Sequence, residues 1–218
     1  MKKLLVVGAT GLVGGNFMLQ AQAHGDFEVH SLGRREVRGD DHNMRHVHDT
    51  DTWPQAIASI APDAVFCALG TTIRQAGSQE AFRAIDLELV RTVGEAAKTS
   101  GARHFVSISS TMADANASAF YLKTKGEAEG ALRACDFERL DIIRPGLLKG
   151  DRIGPLRWGE SLAVFASPLT DMLLHGSLKK YRSIDAHDVA AAAWALFDEG
   201  GKGSFVHENP AIRDLAEK

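Results

Sequence analysis

The stretch Leu4-Leu5-Val6-Val7-Gly8-Ala9-Thr10-Gly11-Leu12-Val13-Gly14 decides the fold. Its first four residues are an apolar run without alternating polar positions, which predicts a parallel strand covered on both faces. Three glycines at three-residue spacing then predict a turn into a helix. Glycine permits the tight turn, lets backbone N–H groups approach a pyrophosphate and allows close packing of helix on strand. The helix N-terminus adds partial positive charge. The stretch therefore predicts a phosphate-binding strand-turn-helix, with Gly8, Ala9, Thr10, Gly11, Leu12, Val13 and Gly14 as candidate binding residues. It contains no Lys followed by Ser or Thr, so it is not a P-loop for nucleoside triphosphates.

Working outward, a first helix is predicted from Leu12 to His24, stopped by Gly25, and a second strand from Phe27 to Leu32. In dinucleotide folds an acidic residue after this strand binds the ribose 2′-OH, whereas arginine accommodates a 2′-phosphate. Here the chain reads Gly33-Arg34-Arg35, and a guanidinium fork matches a doubly charged phosphate, which favours NADP(H) over NAD(H). A short third strand is expected at Arg45 to His48, with Asp49 just beyond it placed for the adenine edge. His42, His46 and His48 lie among Asp41, Asp49 and Asp51, yet no fourth ligand with site-like spacing stands out, and no metal is expected.

A chain of 218 residues can bury a substantial core, and one domain over residues 1–218 is the expectation, with 151–185 as a substrate-covering segment. A formal net charge of -3 and the lack of a long Lys/Arg run leave no footprint for nucleic acid or an anionic membrane. The apolar run after Met1-Lys2-Lys3 is broken by Gly8, Gly11 and Asn16 before it reaches signal length, and Val189 to Phe197 is too short to span a bilayer. Cys67 and Cys135 give no disulfide framework and read as small packed hydrophobes. Together these features predict a cytoplasmic protein with a small-molecule partner.

Further along, Thr52 to Ile60 reads as a short helix and Ala64 to Leu69 as a fourth strand, whose polar exit loop begins at Gly70. Loops at the carboxyl ends of parallel strands line the ligand crevice, which makes Leu69, Gly70 and Thr71 candidate cofactor contacts. A fourth helix starts at the N-cap Ser78, and a fifth strand, His104 to Ser109, ends in Ser109-Ser110-Thr111. In the helix that follows, Tyr121 and Lys125 share a face at i, i+4 spacing. Arg139 to Ile143 is a sixth strand, closed by Arg144-Pro145-Gly146-Leu147-Leu148; an apolar helix to Phe197 and a short strand, Ser204 to His207, follow. The tail from Pro210 gives no reading. The fold class is α/β, a doubly wound parallel sheet of Rossmann type with a small C-terminal elaboration.

This order of features resembles the short-chain dehydrogenase/reductase superfamily, and within it the atypical members similar to the Tat-interactive protein family. The resemblance covers nearly the whole chain. It rests on Gly8-x-x-Gly11-x-x-Gly14, Gly33-Arg34-Arg35, Leu69-Gly70-Thr71-Thr72, Ser109-Ser110, Tyr121-x-x-x-Lys125, Arg144-Pro145-Gly146-Leu147-Leu148 and Asp151-Arg152. It implies that the glycine turn and the two arginines bind NADPH, that Leu69 and Gly70 lie along the cofactor, and that Pro145, Gly146, Leu147 and Leu148 lie by the nicotinamide. It implies that Tyr121 exchanges the proton at the substrate oxygen, while Lys125 binds the nicotinamide ribose and biases Tyr121 toward ionisation. Ser110 would hydrogen-bond the substrate carbonyl, with Ser109 or Thr111 open as alternatives.

Asp86 stands where typical members carry an asparagine that completes a proton relay. Two expectations follow. One is an NADPH-dependent reductase of a small carbonyl compound; the other is an NADPH-binding sensor with little turnover that acts on a regulatory protein partner. A homodimer is open as well.

Overall fold

The computed structural model describes residues 1–36, 44–150 and 176–218. In chain order it has β1 (Lys2–Val7), α1 (Leu12–Gln20), β2 (Phe27–Gly33), β3 (Met44–Val47), α2 (Trp53–Ile60), β4 (Ala64–Cys67), α3 (Ile73–Ala76) and α4 (Gln79–Arg83). A π-helical turn, Ala84–Leu89, joins α4 to α5 (Val90–Thr99). Then come β5 (His104–Ile108), α6 (Phe120–Ala134), β6 (Arg139–Arg144), β7 (Leu148–Lys149), β8 (Ile184–Asp185), α7 (Ala186–Asp198), β9 (Gly203–Glu208) and α8 (Asn209–Ala216). Most of the expected covering segment lies outside the described residues. Its end forms a 3₁₀ turn, Gly176–Tyr181, and β8, which pairs with β7 in a separate two-stranded sheet.

Seven strands form one parallel sheet in the order β3-β2-β1-β4-β5-β6-β9. The order reverses between β1 and β4, whose ends sit side by side with Val7 opposite Cys67. A crevice opens at such a switch point, beyond the carboxyl ends of the strands. Alternation along the central strands feeds two cores. Leu4, Val6 and Phe66 pack with Phe17 and Trp194 of α1 and α7, while Leu5, Val7 and Val65 pack with Ile57, Val93 and Leu132 of α2, α5 and α6. This two-sided burial is why the strands read as continuous apolar runs. On the first face Phe66, Phe17, Trp194 and His24 stack in series at centroid separations of 4.0, 4.1 and 4.2 Å.

The expected cap forms, with Ser78 Oγ accepting from Ala81 N–H, and at the start of α7 Asp185 Oδ1 accepts from His187 N–H. Three elements differ from expectation. The loop after Gly70 contains α3, whose N-cap Thr72 accepts from Gln75 N–H. The fourth helix is interrupted by the π-helical turn, and the tail is the amphipathic helix α8, seated through Ile212 and Leu215. Cys67 is fully packed, and burial pushes its thiol up to about 11. Among the described residues no helix is long and apolar enough to cross a membrane.

Candidate active site

The glycine turn is built as its spacing demands. Gly8 has φ +88°, and a Cβ there would stand 2.5 Å from the Ala68 carbonyl oxygen of the neighbouring strand exit. A Cβ on Gly14 would meet the Gly8 carbonyl oxygen at 2.2 Å, so α1 packs directly on the turn. Gly11 N–H donates to Gly8 O at 2.9 Å, and α1 starts at Gly11 with no side-chain cap and no acid in its first turn. The first N–H groups of α1 are thus left without a side-chain acceptor.

Above the turn lies a cleft of about 580 Å³. Gly8, Ala9, Thr10, Gly11, Arg34, Arg35, Leu69, Gly70 and Thr71 all line it, as the sequence predicts. The other candidates fall outside its lining, Ser109, Ser110, Tyr121, Lys125, Pro145, Gly146, Leu147 and Leu148 among them. Leu12, Val13 and Gly14 are absent from the lining because they already belong to α1, with Val13 packed in the core beneath. Asp49 is exposed where the chain turns into a 3₁₀ turn, and its neighbours Thr50 and Asp51 line the cleft instead. The far wall comes from the π-helical turn and α5 through Ala84, Ile85, Glu88, Leu89 and Thr92. Sequence reading did not assign that wall, although the apolar positions Ile85 and Leu89 were visible.

Lys125 joins this cleft to the catalytic candidates. A Cβ on Gly70 would lie 3.4 Å from Asp86 Oδ1 and 3.5 Å from Lys125 Nζ, ordinary contact distances that set this pair directly beside a residue of the cleft lining. Lys125 Nζ is 2.7 Å from Asp86 Oδ1, a close ion pair, while Asp86 Oδ2 accepts from Thr71 N–H at 2.9 Å. Both side chains are buried. Burial pushes the Asp86 carboxyl up, opposed by Lys125 and the Thr71 N–H. Burial pulls Lys125 down, but Asp86 and Tyr121 outweigh it and hold the ammonium above its usual range. Tyr121 opens α6 one turn before Lys125, 37% exposed, with its ring against Phe82 at 5.6 Å.

The three hydroxyls after β5 separate cleanly. Ser109 is buried and donates to Glu129 Oε1 at 2.6 Å, and Glu129 also accepts from Arg144 Nε and Nη2, so the Ser109 hydroxyl is already engaged by Glu129. Ser110 is half-buried and donates only weakly, to Thr111 O at 3.2 Å. Thr111 Oγ1 is buried without a partner among the described residues. Thr111 N–H donates to Pro145 O, which brings this loop beside the Arg-Pro-Gly strand end.

Pro145 and Gly146 are held by a residue the sequence gave no reason to choose. Gly146 N–H donates to Asn209 Oδ1 at 3.1 Å, and Asn209, at the start of α8, also donates to Arg182 O. A Cβ on Gly146 would stand 2.2 Å from Arg182 O. Leu147 is exposed, and Leu148 continues into β7.

The family described as NAD(P)H-binding matches residues 8–199. The chain belongs to this family. Among relatives of this NAD(P)H-binding protein, FMP52 of Eremothecium gossypii is 37% identical over 98% of this chain and 97% of its own. FMP52 of Lodderomyces elongisporus is 35% identical over 93% and 89%. HTATIP2 of Rattus norvegicus is 33% identical over 69% and 64%, in line with the resemblance to Tat-interactive proteins. Two solved structures share the fold: WbmH of Bordetella bronchiseptica with NAD+ (TM-score 0.73, 16% identity, 100% of this chain and 80% of that one) and MoeE5 with UDP-glucose and NAD (0.71, 17%, 99% and 81%). The expectation of a cytoplasmic protein is corrected. The FMP52 relatives are named as mitochondrial, and composition and charge carry no record of compartment.

Proposed function

We propose that this NAD(P)H-binding chain is an NADPH-dependent reductase of a small carbonyl compound. The observation that carries the reading is Lys125. Its ammonium lies beside Gly70 at the cleft floor and shares a helix face with Tyr121, so one residue connects the cofactor cleft to a proton-transfer group.

The glycine cradle, open at the start of α1, fits a pyrophosphate, and Arg34 with Arg35 fits a 2′-phosphate. Bound there, the nicotinamide supplies the hydride for the carbonyl carbon. Lys125 holds the nicotinamide ribose and keeps a positive charge beside Tyr121. The Tyr121 hydroxyl gives its proton to the carbonyl oxygen as negative charge develops on it, and Ser110 donates a hydrogen bond to the same oxygen. The product is the alcohol, formed with one hydride and one proton. Asn209 holds Gly146, next to Pro145, and on this reading these two residues would lie along the nicotinamide.

The test is NADPH consumption on a panel of aldehydes and ketones, wild type against Tyr121→Phe. Loss of the proton donor lowers turnover roughly 10²–10⁴-fold with NADPH binding retained. Undiminished turnover in Tyr121→Phe contradicts the assignment. Tight NADPH binding with no turnover across the panel favours the sensor.

A further inference from the structure

Beside the arginine pair, the edge of the sheet carries a chain of three titratable side chains that ends in the cleft. Glu28 and His30 are two residues apart on β2 and share a face. On β3, Met44 lies opposite His30 and His46 opposite Leu32, which sets His46 diagonally across from His30. His30 Nε2 is 2.7 Å from Glu28 Oε1, and His30 Nδ1 is 3.1 Å from His46 Nε2. His30 is only 4% exposed. Among the described residues no group of His, Cys, Asp or Glu is arranged to hold a metal ion, so these contacts stand as direct hydrogen bonds.

The order of protons follows from Glu28. An ionised carboxylate only accepts, so it holds the His30 proton on Nε2; His30 Nδ1 then accepts from His46 Nε2–H. Nδ1 of His46 is the atom left to respond. It is a lone pair on the neutral ring and a donor on the protonated one. His46 lines the same cleft as Arg34 and Arg35. Burial, then His30 and His48, lowers its affinity for a proton and so favours the uncharged ring. The other charged groups around it are Glu36, Arg45 and Asp51, with Glu88 on the opposite wall. A dianion delivered beside the two arginines shifts this balance toward the protonated ring.

We propose that His46, backed by His30 and Glu28, is a third recognition group for the 2′-phosphate of NADP(H), taking up a proton as the phosphate binds. The proposal rests on the NADP(H) reading above. NADH, which has no 2′-phosphate, draws no proton onto His46.

The test is calorimetric binding of NADPH and NADH from about pH 6 to about pH 9, in two buffers of different ionisation enthalpy, for the wild-type chain, His46→Gln and Glu28→Gln. Wild type loses roughly tenfold in NADPH affinity as pH rises through this range and takes up a proton on binding, while NADH affinity stays flat. His46→Gln weakens NADPH about 3–10-fold at the acid end, abolishes the extra proton uptake and leaves NADH unchanged. The 2′-phosphate has its own titration near pH ~6, common to all three chains, so the difference between wild type and variant isolates His46. Glu28→Gln removes a negative charge from the chain of contacts and moves the NADPH midpoint to lower pH. Unaltered NADH binding reports that each variant is folded. A wild-type profile in His46→Gln, or an equal loss for NADPH and NADH, overturns the proposal while an NADPH preference still stands. NADPH bound no more tightly than NADH at any pH overturns the NADP(H) reading and this proposal with it.

Discussion

Asp86 Oδ1 lies 2.7 Å from Lys125 Nζ, and the two residues come from different helices, the π-helical turn after α4 and the first half of α6. Asp86 is therefore a direct partner of Lys125. A buried pair of this kind is costly to break from one side, because the remaining charge stays buried without its counter-charge. Asp86→Asn and Lys125→Met are each expected to lower unfolding free energy by about 3–5 kcal/mol. The double variant loses clearly less than the sum. Denaturant unfolding of the four proteins measures this, and additive losses contradict the coupling.

The glycines of the turn and of α6 make opposite predictions from one substitution. In Gly14→Ala the new methyl meets the Gly8 carbonyl oxygen at 2.2 Å, so α1 must move away from the turn. A loss of about 1–3 kcal/mol is expected, with weaker NADPH binding. Gly130 sits exposed inside α6 with nothing within 4 Å of an added Cβ. Gly130→Ala stabilises by about 0.5–1 kcal/mol and leaves cofactor binding unchanged. Thermal melts with and without NADPH compare the pair.

How much was legible divides along local against distant causes. The strands around Val6, Val65 and Val106 are visible because a parallel strand buried on both faces must be apolar throughout. The glycine cradle is visible because its backbone needs are met within seven residues. The π-helical turn was not, since its meaning depends on Lys125, 39 residues away. Nor was Asn209: a single Asn before a proline reads as an ordinary helix start, and only the tertiary fold brings it to Gly146. The choice among Ser109, Ser110 and Thr111 turned on Glu129, a mid-helix acid that sequence reading leaves on the surface and the fold buries.

At the opposite end of the sheet Asp141 is fully buried and accepts from His104, His207 and Arg139. Burial alone would raise its carboxyl, but hydrogen bonds from His104, His207 and Arg139 hold it well below the usual carboxylate range. A depressed folded value means that the stabilisation is complete above the unfolded value near ~4 and is lost as pH falls toward the folded one. Asp141→Asn is expected to be about 3–5 kcal/mol less stable than wild type at neutral pH. The gap narrows as pH drops below about 4. Unfolding measured across acid pH checks this; a gap that does not change with pH contradicts it.

On the proposed function, the cradle of Gly8, Gly11 and Gly14, with Arg34 and Arg35 beside it, would hold a 2′-phosphorylated nicotinamide cofactor. The most direct measurement is calorimetric titration of the chain at neutral pH with NADPH and with NADH, repeated on Arg34→Ala/Arg35→Ala. NADPH is expected to bind tighter by roughly 10²-fold or more, with the double substitution removing most of that preference and leaving NADH unchanged. NADH binding as tightly as NADPH to the wild-type chain would contradict it.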